Sequence, residues 1–509
     1  MIRLQTILLS GAAFCVIIPN SSLATPADSK YYGSVYPDET AARVQKASLE
    51  QPTKQSADKS ATPLSARREV DPKLEKALGS AGYLVSEESA AGDFNAAIRR
   101  AVGRHPAYHA QASNLDEAGA LRRQARSALY PQLSTQLRGD YSLTRDFAPN
   151  TDNVVESLRP REQFTAGVSA SQLIFDGGAT INRIRSARAL DAEYRNALET
   201  RINDLALNAL TSYHDVAAHQ ALAAFSRDFI KRQEEILEDV KERERLGAGS
   251  RADVHRAEAR LAAARARLAE IMESKRLADV RYEEFFGDTP PRLARPSLGG
   301  PDVTGRSDAV ATSLEANPQI AAAEARADAR QADFKAARSA RLPEVRLSVD
   351  AVKYDVFDSG DDFDVRAGVV LNYNIFGGGA RAAEISIARS RAKREQFNEE
   401  QIKQDVAREA AMAYERLQGA DERLDALGDA VIAHDITRDL VLERYKLSRG
   451  DLIDVLQAEN DYFEAGVAYV IALSGRDMAN YALMEHTGDL LRLFSPQHEY
   501  ENAVSGALR

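Results

Sequence analysis

Cysteine is all but missing from the 509 residues of this chain; Cys15 is the only one. It lies in a short apolar run, Ile7 to Ile18, preceded by Arg3 and followed by Ser22-Leu23-Ala24. A positive start, an apolar core and a small-residue cleavage site make a secretory signal. Residues 1–24 are therefore expected to be removed, leaving a mature chain that begins near Thr25. Pro19-Asn20 stops the run short of the roughly 20 apolar residues of a membrane helix. Phe14 stands where a lipoprotein signal would place a small residue, so no lipid anchor is expected. A mature chain without Cys15 has no disulfides and no thiolate metal sites.

Other absences narrow the reading further. Tryptophan is missing and aromatics make up 7% of the residues, which suits long helices better than one large globular core. The net charge of −10 argues against a nucleic-acid partner, which would want a basic face. His105 and His109 share helical spacing, but Pro106 intervenes and the glutamate of a zinc-protease motif does not follow. The glycine runs lack the Lys-Ser/Thr of a phosphate loop. The arginines from Arg256 to Arg267 alternate with alanine and glutamate, as on a solvated coiled-coil face. No catalytic, cofactor or metal site follows, and an enzyme is not expected.

What is present is a duplication. Phe175-Asp176-Gly177-Gly178 opens a long proline-free run that ends at Leu246-Gly247-Ala248-Gly249-Ser250, with Asp253 soon after. The layout returns, 201 residues on, as Phe376-Gly377-Gly378-Gly379, then Leu447-Ser448-Arg449-Gly450, then Asp454. Upstream, Pro106 and Pro131 return as Pro318 and Pro343 at an offset of 212, so the first copy holds eleven extra residues between Pro131 and Phe175. Residues 25–91, polar and broken by Pro26, Pro37, Pro52, Pro63 and Pro72, read as a disordered extension. The first repeat is placed at 92–300, with helices 92–129, 178–246 and 250–286 and strands 132–146 and 162–176. The second is placed at 301–494, with helices 305–341, 379–447 and 451–492 and strands 344–357 and 363–376. A tail covers 495–509.

The strands alternate. Leu133, Thr135, Leu137, Gly139 and Tyr141 are set against Ser134, Gln136, Arg138 and Asp140; Phe164, Ala166, Val168 and Ala170 are set against Thr165, Gly167, Ser169 and Ser171. Val345, Leu347 and Val349, and then Val365, Ala367, Val369 and Leu371, repeat the pattern. Segments of about ten residues with one apolar and one polar face fit a membrane barrel. Aromatics near their ends (Tyr130, Phe147, Phe164, Phe175, Tyr354, Phe357, Phe363, Tyr373 and Phe376) lie where an interfacial girdle would. Four strands cannot close, and an open edge in lipid leaves backbone groups unpaired. Several chains must share one barrel; three give twelve strands. Arg145 to Arg161 would form an outward loop.

Each long helical run covers about 100 Å. In the second, Ile402, Val406, Ala410, Ala413, Leu417, Ala420, Leu424, Leu427 and Val431 step by threes and fours, a heptad seam.

A signal peptide, a duplicated helix–strand–strand–helix unit, proline before the first strand and Phe-Asp-Gly-Gly after the second closely resemble the TolC family over residues 92–494. The resemblance implies a mainly α fold with a membrane β-barrel. Long antiparallel coiled-coil helices would form an α-barrel, and four strands per chain would enter a shared twelve-stranded trimeric β-barrel. It implies an outer-membrane homotrimer with a large periplasmic portion. Such a duct exports passively, with a periplasmic adaptor (membrane fusion) protein and an inner-membrane ABC transporter or proton-driven pump as partners, and outer-membrane lipid around its barrel. The unlipidated start and Phe-Asp-Gly-Gly resemble the type I protein secretion branch; multidrug efflux and a pore-less periplasmic scaffold are the alternatives. The resemblance places adaptor-contacting turns at Leu246, Gly247, Ala248, Gly249 and Ser250 and at Leu447, Ser448 and Gly450. It places the gate at Asp253, Tyr445 and Asp454. Gln457 replaces a companion carboxylate, Ser448 replaces a glycine, and Gly450 replaces an arginine for which Arg449 is the neighbouring substitute.

Overall fold

A computed structural model describes residues 91–144, 161–296, 299–354, 356–357 and 362–495. The expected signal peptide, nearly all of the polar extension, the outward loop with Phe147, Pro149, Asn150 and Pro160, and the tail beyond Ser495 lie outside these described residues.

Helices α1 (Ala91–Arg104) and α2 (Pro106–Ser127) precede strands β1 (Gln132–Tyr141) and β2 (Glu162–Phe175). Helices α3 (Ala179–Arg245) and α4 (Arg251–Phe286) complete the first repeat. The second runs α5 (Arg306–Ala316), α6 (Pro318–Ser339), β3 (Glu344–Lys353), β4 (Phe363–Asn372), α7 (Ala380–Lys446), α8 (Leu452–His486) and α9 (Asp489–Phe494).

Three expected helices are broken. The span 92–129 divides at His105 and the span 305–341 at Asn317, because Pro106 and Pro318 start new helices. Proline lacks an N–H and suits the first helical turn, not the interior. His105 Nδ1 accepts from the Ala107 N–H at 3.1 Å and Asn317 Oδ1 from the Gln319 N–H at 2.8 Å, so each residue before the proline is a working N-cap. The span 451–492 stops at His486, where Gly488 takes φ +79° and re-aims the chain into α9. Three strands also end early: β1 at Tyr141, β3 at Lys353 and β4 at Asn372.

The four strands form one antiparallel sheet in the order β1-β2-β3-β4. Leu133 pairs with Ala170, Leu137 with Ala166, Ala170 with Val349, Gln172 with Leu347, and Leu347 with Val369. The registers therefore gather the alternating apolar residues of all four strands onto one face. That face is bare: Leu133 is 75% exposed, Val369 70% and Leu371 63%. On the opposite face Ser134 and Ser169 share a 2.7 Å hydrogen bond, and Arg138 pairs with Asp140 at 2.7 Å.

At the strand-to-helix corner, Asp176 accepts from the Gly178 N–H at 3.0 Å and the Thr180 N–H at 2.6 Å, capping α3. Gly177, at φ +67°, has no room for a side chain, since a Cβ would come within 2.8 Å of Leu342 and 3.0 Å of the Ser339 carbonyl.

The long helices α3 and α7 have 67 residues each, about 100 Å. On the sheet side α3 packs against α2 and α6, and on the far side against α4 and α8; α7 packs against α6 and α5, then α8. The core follows α3. One cluster joins Phe94, Ile98, Leu205, Tyr481 and Phe494. A second, further along, stacks Phe463 on Phe229 (4.3 Å) and Phe225 (5.6 Å). Of the expected seam, Val406, Ala410, Ala413, Leu417 and Val431 are buried, and Ile402, Ala420, Leu424 and Leu427 half-buried. The segment joining the repeats is clamped by Arg295, whose guanidinium holds both Asp477 oxygens at 2.6 and 2.7 Å, and by Gln220, which bonds Pro291 O and Leu293 N. Among the described residues, no helix is long and apolar enough to cross a membrane.

Candidate functional site

Both long helices end, far from the sheet, in the same kind of turn. Glycine at position 247 takes φ +76°, and the N–H groups of Ala248 and Gly247 bond Arg243 O (2.8 Å) and Glu244 O (3.0 Å). In the second turn Arg449 and Ser448 bond Arg444 O and Tyr445 O, both at 3.0 Å. These bonds satisfy the last carbonyls of each helix, as a Schellman motif does. Ser448 takes φ +56° and is the one non-glycine residue with positive φ among those described. Gly249 and Gly450 lie close against their helix ends, 3.2 Å from Glu244 N and 3.3 Å from Tyr445 N at the Cβ position.

The next helices start differently. Ser250 caps α4: its Oγ accepts from the Asp253 N–H at 3.2 Å and donates to Asp253 Oδ2 at 2.8 Å, so the cap and the first-turn aspartate hold each other. Arg256 reaches the other oxygen of Asp253 at 3.2 Å. Asp451 opens α8 without a side-chain cap bond. Leu246 and Leu447 project from the two turns, each 66% exposed.

Of the expected gate residues, Tyr445 is buried with Ile236, Val240, Leu452, Val455 and Leu456. Arg243 lies over its ring at 4.2 Å and bonds Asp239 at 3.1 Å. Burial pushes the Tyr445 hydroxyl above its ordinary pKa, Arg243 opposes this, and Asp239 and Asp253 add to it. Tyr445 and Asp253 thus lie within each other's field, across two hairpins. Asp454 and Gln457 are exposed on one side of α8, and Gln457 donates to Asp461 at 2.6 Å. Arg449 and Gly450 are exposed in the turn. A single chain therefore leaves Asp454, Gln457 and Arg449 facing outward.

Sequence reasoning missed a buried polar knot behind the tip. Glu459, 2% exposed, takes Arg232 at 3.0 Å, and Arg438 lies 4.0 Å from its other oxygen. Arg438 also lies over the Tyr462 ring at 4.2 Å and pairs with Asp435 and Asp439 at 2.8 and 2.7 Å. Its partners lie on α3, α7 and α8, so no local spacing announces it. The candidate histidines serve elsewhere: His105 is the cap already described, and His109 is exposed.

The family model for the outer membrane efflux protein matches residues 97–281 and 309–489, one stretch in each repeat. The chain belongs to the outer membrane efflux protein family. Similar members of this family include the outer membrane efflux protein BepC of Brucella suis biovar 1 (strain 1330). It is 28% identical over 372 residues, which cover 72% of this chain and 78% of BepC. The probable efflux pump outer membrane protein TtgC of Pseudomonas putida is 26% identical, covering 70% and 75%. The fold is that of the outer membrane protein VceC of Vibrio cholerae, with TM-score 0.69 and 19% identity over 78% of this chain and 96% of VceC. The Campylobacter jejuni CmeC outer membrane channel also matches, with TM-score 0.69 and 16% identity over 83% and 92%. This outer membrane efflux protein is a transport protein of the outer membrane, not an enzyme.

Proposed function

We propose that three copies form one passive duct, closed at the helical tips, opened there by a periplasmic adaptor and energised by an inner-membrane ABC transporter or proton-driven pump. One observation carries this reading: a four-stranded sheet with a bare apolar face and two open edges stands on helices about 100 Å long that end in paired hairpin tips. In lipid such a sheet must be closed by further copies. For cargo, the Phe-Asp-Gly-Gly corner and the absence of a lipoprotein-type cysteine favour type I protein secretion. A second reading, small-molecule efflux, is favoured by the efflux names of BepC and TtgC. Deleting the gene and measuring both protein in the medium and retention of antibiotics separates the two.

The gate is tested in planar bilayers. Asp253→Ala with Tyr445→Phe removes a carboxylate and a hydroxyl that lie within each other's field, and should raise single-channel conductance. Asp454→Asn should lower cation preference and relieve block by multivalent cations without opening the pore, because carboxylates repeated by symmetry attract cations. A double mutant that conducts like the parent at equal trimer yield moves the latch to Arg449 or Arg243.

A further inference from the structure

The duplication contains a rule for strand pairing. Adding 212 to each β1 residue and 201 to each β2 residue converts every β1–β2 pair into an observed β3–β4 pair. Gln132↔Ser171 becomes Glu344↔Asn372, and Tyr141↔Glu162 becomes Lys353↔Phe363, with the eight pairs between them obeying too. The two hairpins are therefore one design used twice.

Between them lies a joint, β2 against β3, with a bulge between Leu173 and Phe175. Applied to this joint, the same rule moves β2 onto β4 and β3 back onto β1, which is the opposite edge of the sheet. We infer that β4 of one chain pairs with β1 of the next in the register inherited from this joint. Leu371 lies opposite Leu137, Val369 opposite Gly139, Ala367 opposite Tyr141, and Phe376, past a bulge at Ile375, opposite Leu133. This inference rests on the shared barrel proposed above and specifies how its seam is made.

Three independent observations agree with it. First, the inherited register sets apolar residues against apolar residues, so the bare face continues across the seam; a slip of one residue would turn a whole strand over. Second, β2 continues to Phe175 along β3, whereas β4 stops at Asn372, and Ile375 and Phe376 are each 86% exposed. The missing end of β4 is the portion whose counterpart is held by β3. Third, Gly177 is pressed by Leu342 and the Ser339 carbonyl, while Gly378, its counterpart at φ +60°, has nothing within 4 Å. The rule places the next chain's Tyr130 and Ser127 in that gap, and Tyr130 is 67% exposed. The helical part of the joint does not repeat: Arg326 bonds Glu193 at 2.7 Å, but their counterparts are Asn114 and Arg394. The strands and the corner therefore set the register.

Cysteine cross-linking tests this in the full chain, with the parent as the control for Cys15. Leu137→Cys with Leu371→Cys should give covalent dimers and trimers on mild oxidation. Gly139→Cys or Thr135→Cys with Leu371→Cys should give about tenfold less, since diagonal neighbours exceed disulfide reach. Trimers that cross-link through a shifted pair, or through none of the three, overturn the register and leave the shared barrel standing. Reduced samples of the same variants, and of the parent, that never form a trimer overturn the shared barrel itself.

Discussion

Helices α3 and α7 have the same length, the same place in their repeats and a common origin, yet 28 residues of α3 are buried against 10 of α7. The difference lies in which faces of each helix are apolar. Leu205, Ala209, Ser212 and Val216 on α3 correspond to Val406, Ala410, Ala413 and Leu417 on α7, and all eight are buried. This stripe is the common seam. A second stripe on α3, formed by Leu210, His214, Ala217, Ala221 and Phe225, is also buried, but its counterparts are Ala411, Glu415, Gln418, Glu422 and Ala426, of which the last four are exposed. The interior helix has two dry faces and its copy has one. Duplication preserved the packing each helix needs for its own hairpin, and divergence rewrote the face whose neighbour differs.

Matched substitutions can break or sharpen this contrast, with the thermal midpoint of the purified assembly as the measurement. The largest effect is expected at the second stripe. Phe225→Ala removes a ring stacked on Phe463 and should cost about 3–5 kcal/mol per chain, whereas Ala426→Ser at the exposed counterpart should leave the midpoint unchanged. Along the common seam the two copies should behave alike. Leu417→Ala and Val216→Ala, both fully buried, should each cost roughly 2–4 kcal/mol, and a much smaller loss on α7 would show that its seam is loose.

The two tips give a smaller, opposite-signed pair. Ser448→Gly relieves a side chain held at φ +56°, and Gly247→Ser imposes one at φ +76°. Stability should rise in the first and fall in the second by about 1 kcal/mol each, and the midpoint should move with it.

A further effect depends on pH. Glu485 on α8 is pushed up to about 7 by burial, with Asp204 of α3 and Glu409 of α7 adding to it. Its folded-state pKa exceeds the ordinary 4.5, so its contribution is fully present below that value and is lost as pH rises through about 7. Glu485→Gln should raise the midpoint at pH 8 and leave it unchanged at pH 4.

Much of this molecule is legible in its sequence because its signals are periodic and stated twice. The strand alternation, the two 67-residue helices and the seam from Val406 to Leu417 all follow from spacing. The helix breaks at His105 and Asn317 were also written there, as proline at the first helical position behind a capping side chain. What the sequence hides is pairing at a distance. Arg232 and Glu459 are 227 positions apart, and Arg295 and Asp477 are 182 apart, so only the packing of α3 against α8 and the path of the joining segment bring them together. At the tip, the Ser250–Asp253 cap could be read from its spacing, but Arg243 over the Tyr445 ring could not, since it needs the two hairpins side by side.

The polar face of the sheet has a consequence for whatever passes along it. Arg138 pairs with Asp140, Arg346 with Glu344, and Arg366 with Asp364, each within one strand and two positions apart. Opposite charges held this close cancel at a distance of a few ångströms, and salt screens what remains beyond about 8–10 Å. A passage lined this way is wettable yet nearly fieldless. In the duct proposed above, such a wall would leave discrimination by charge to the tip, where that proposal sets Asp454.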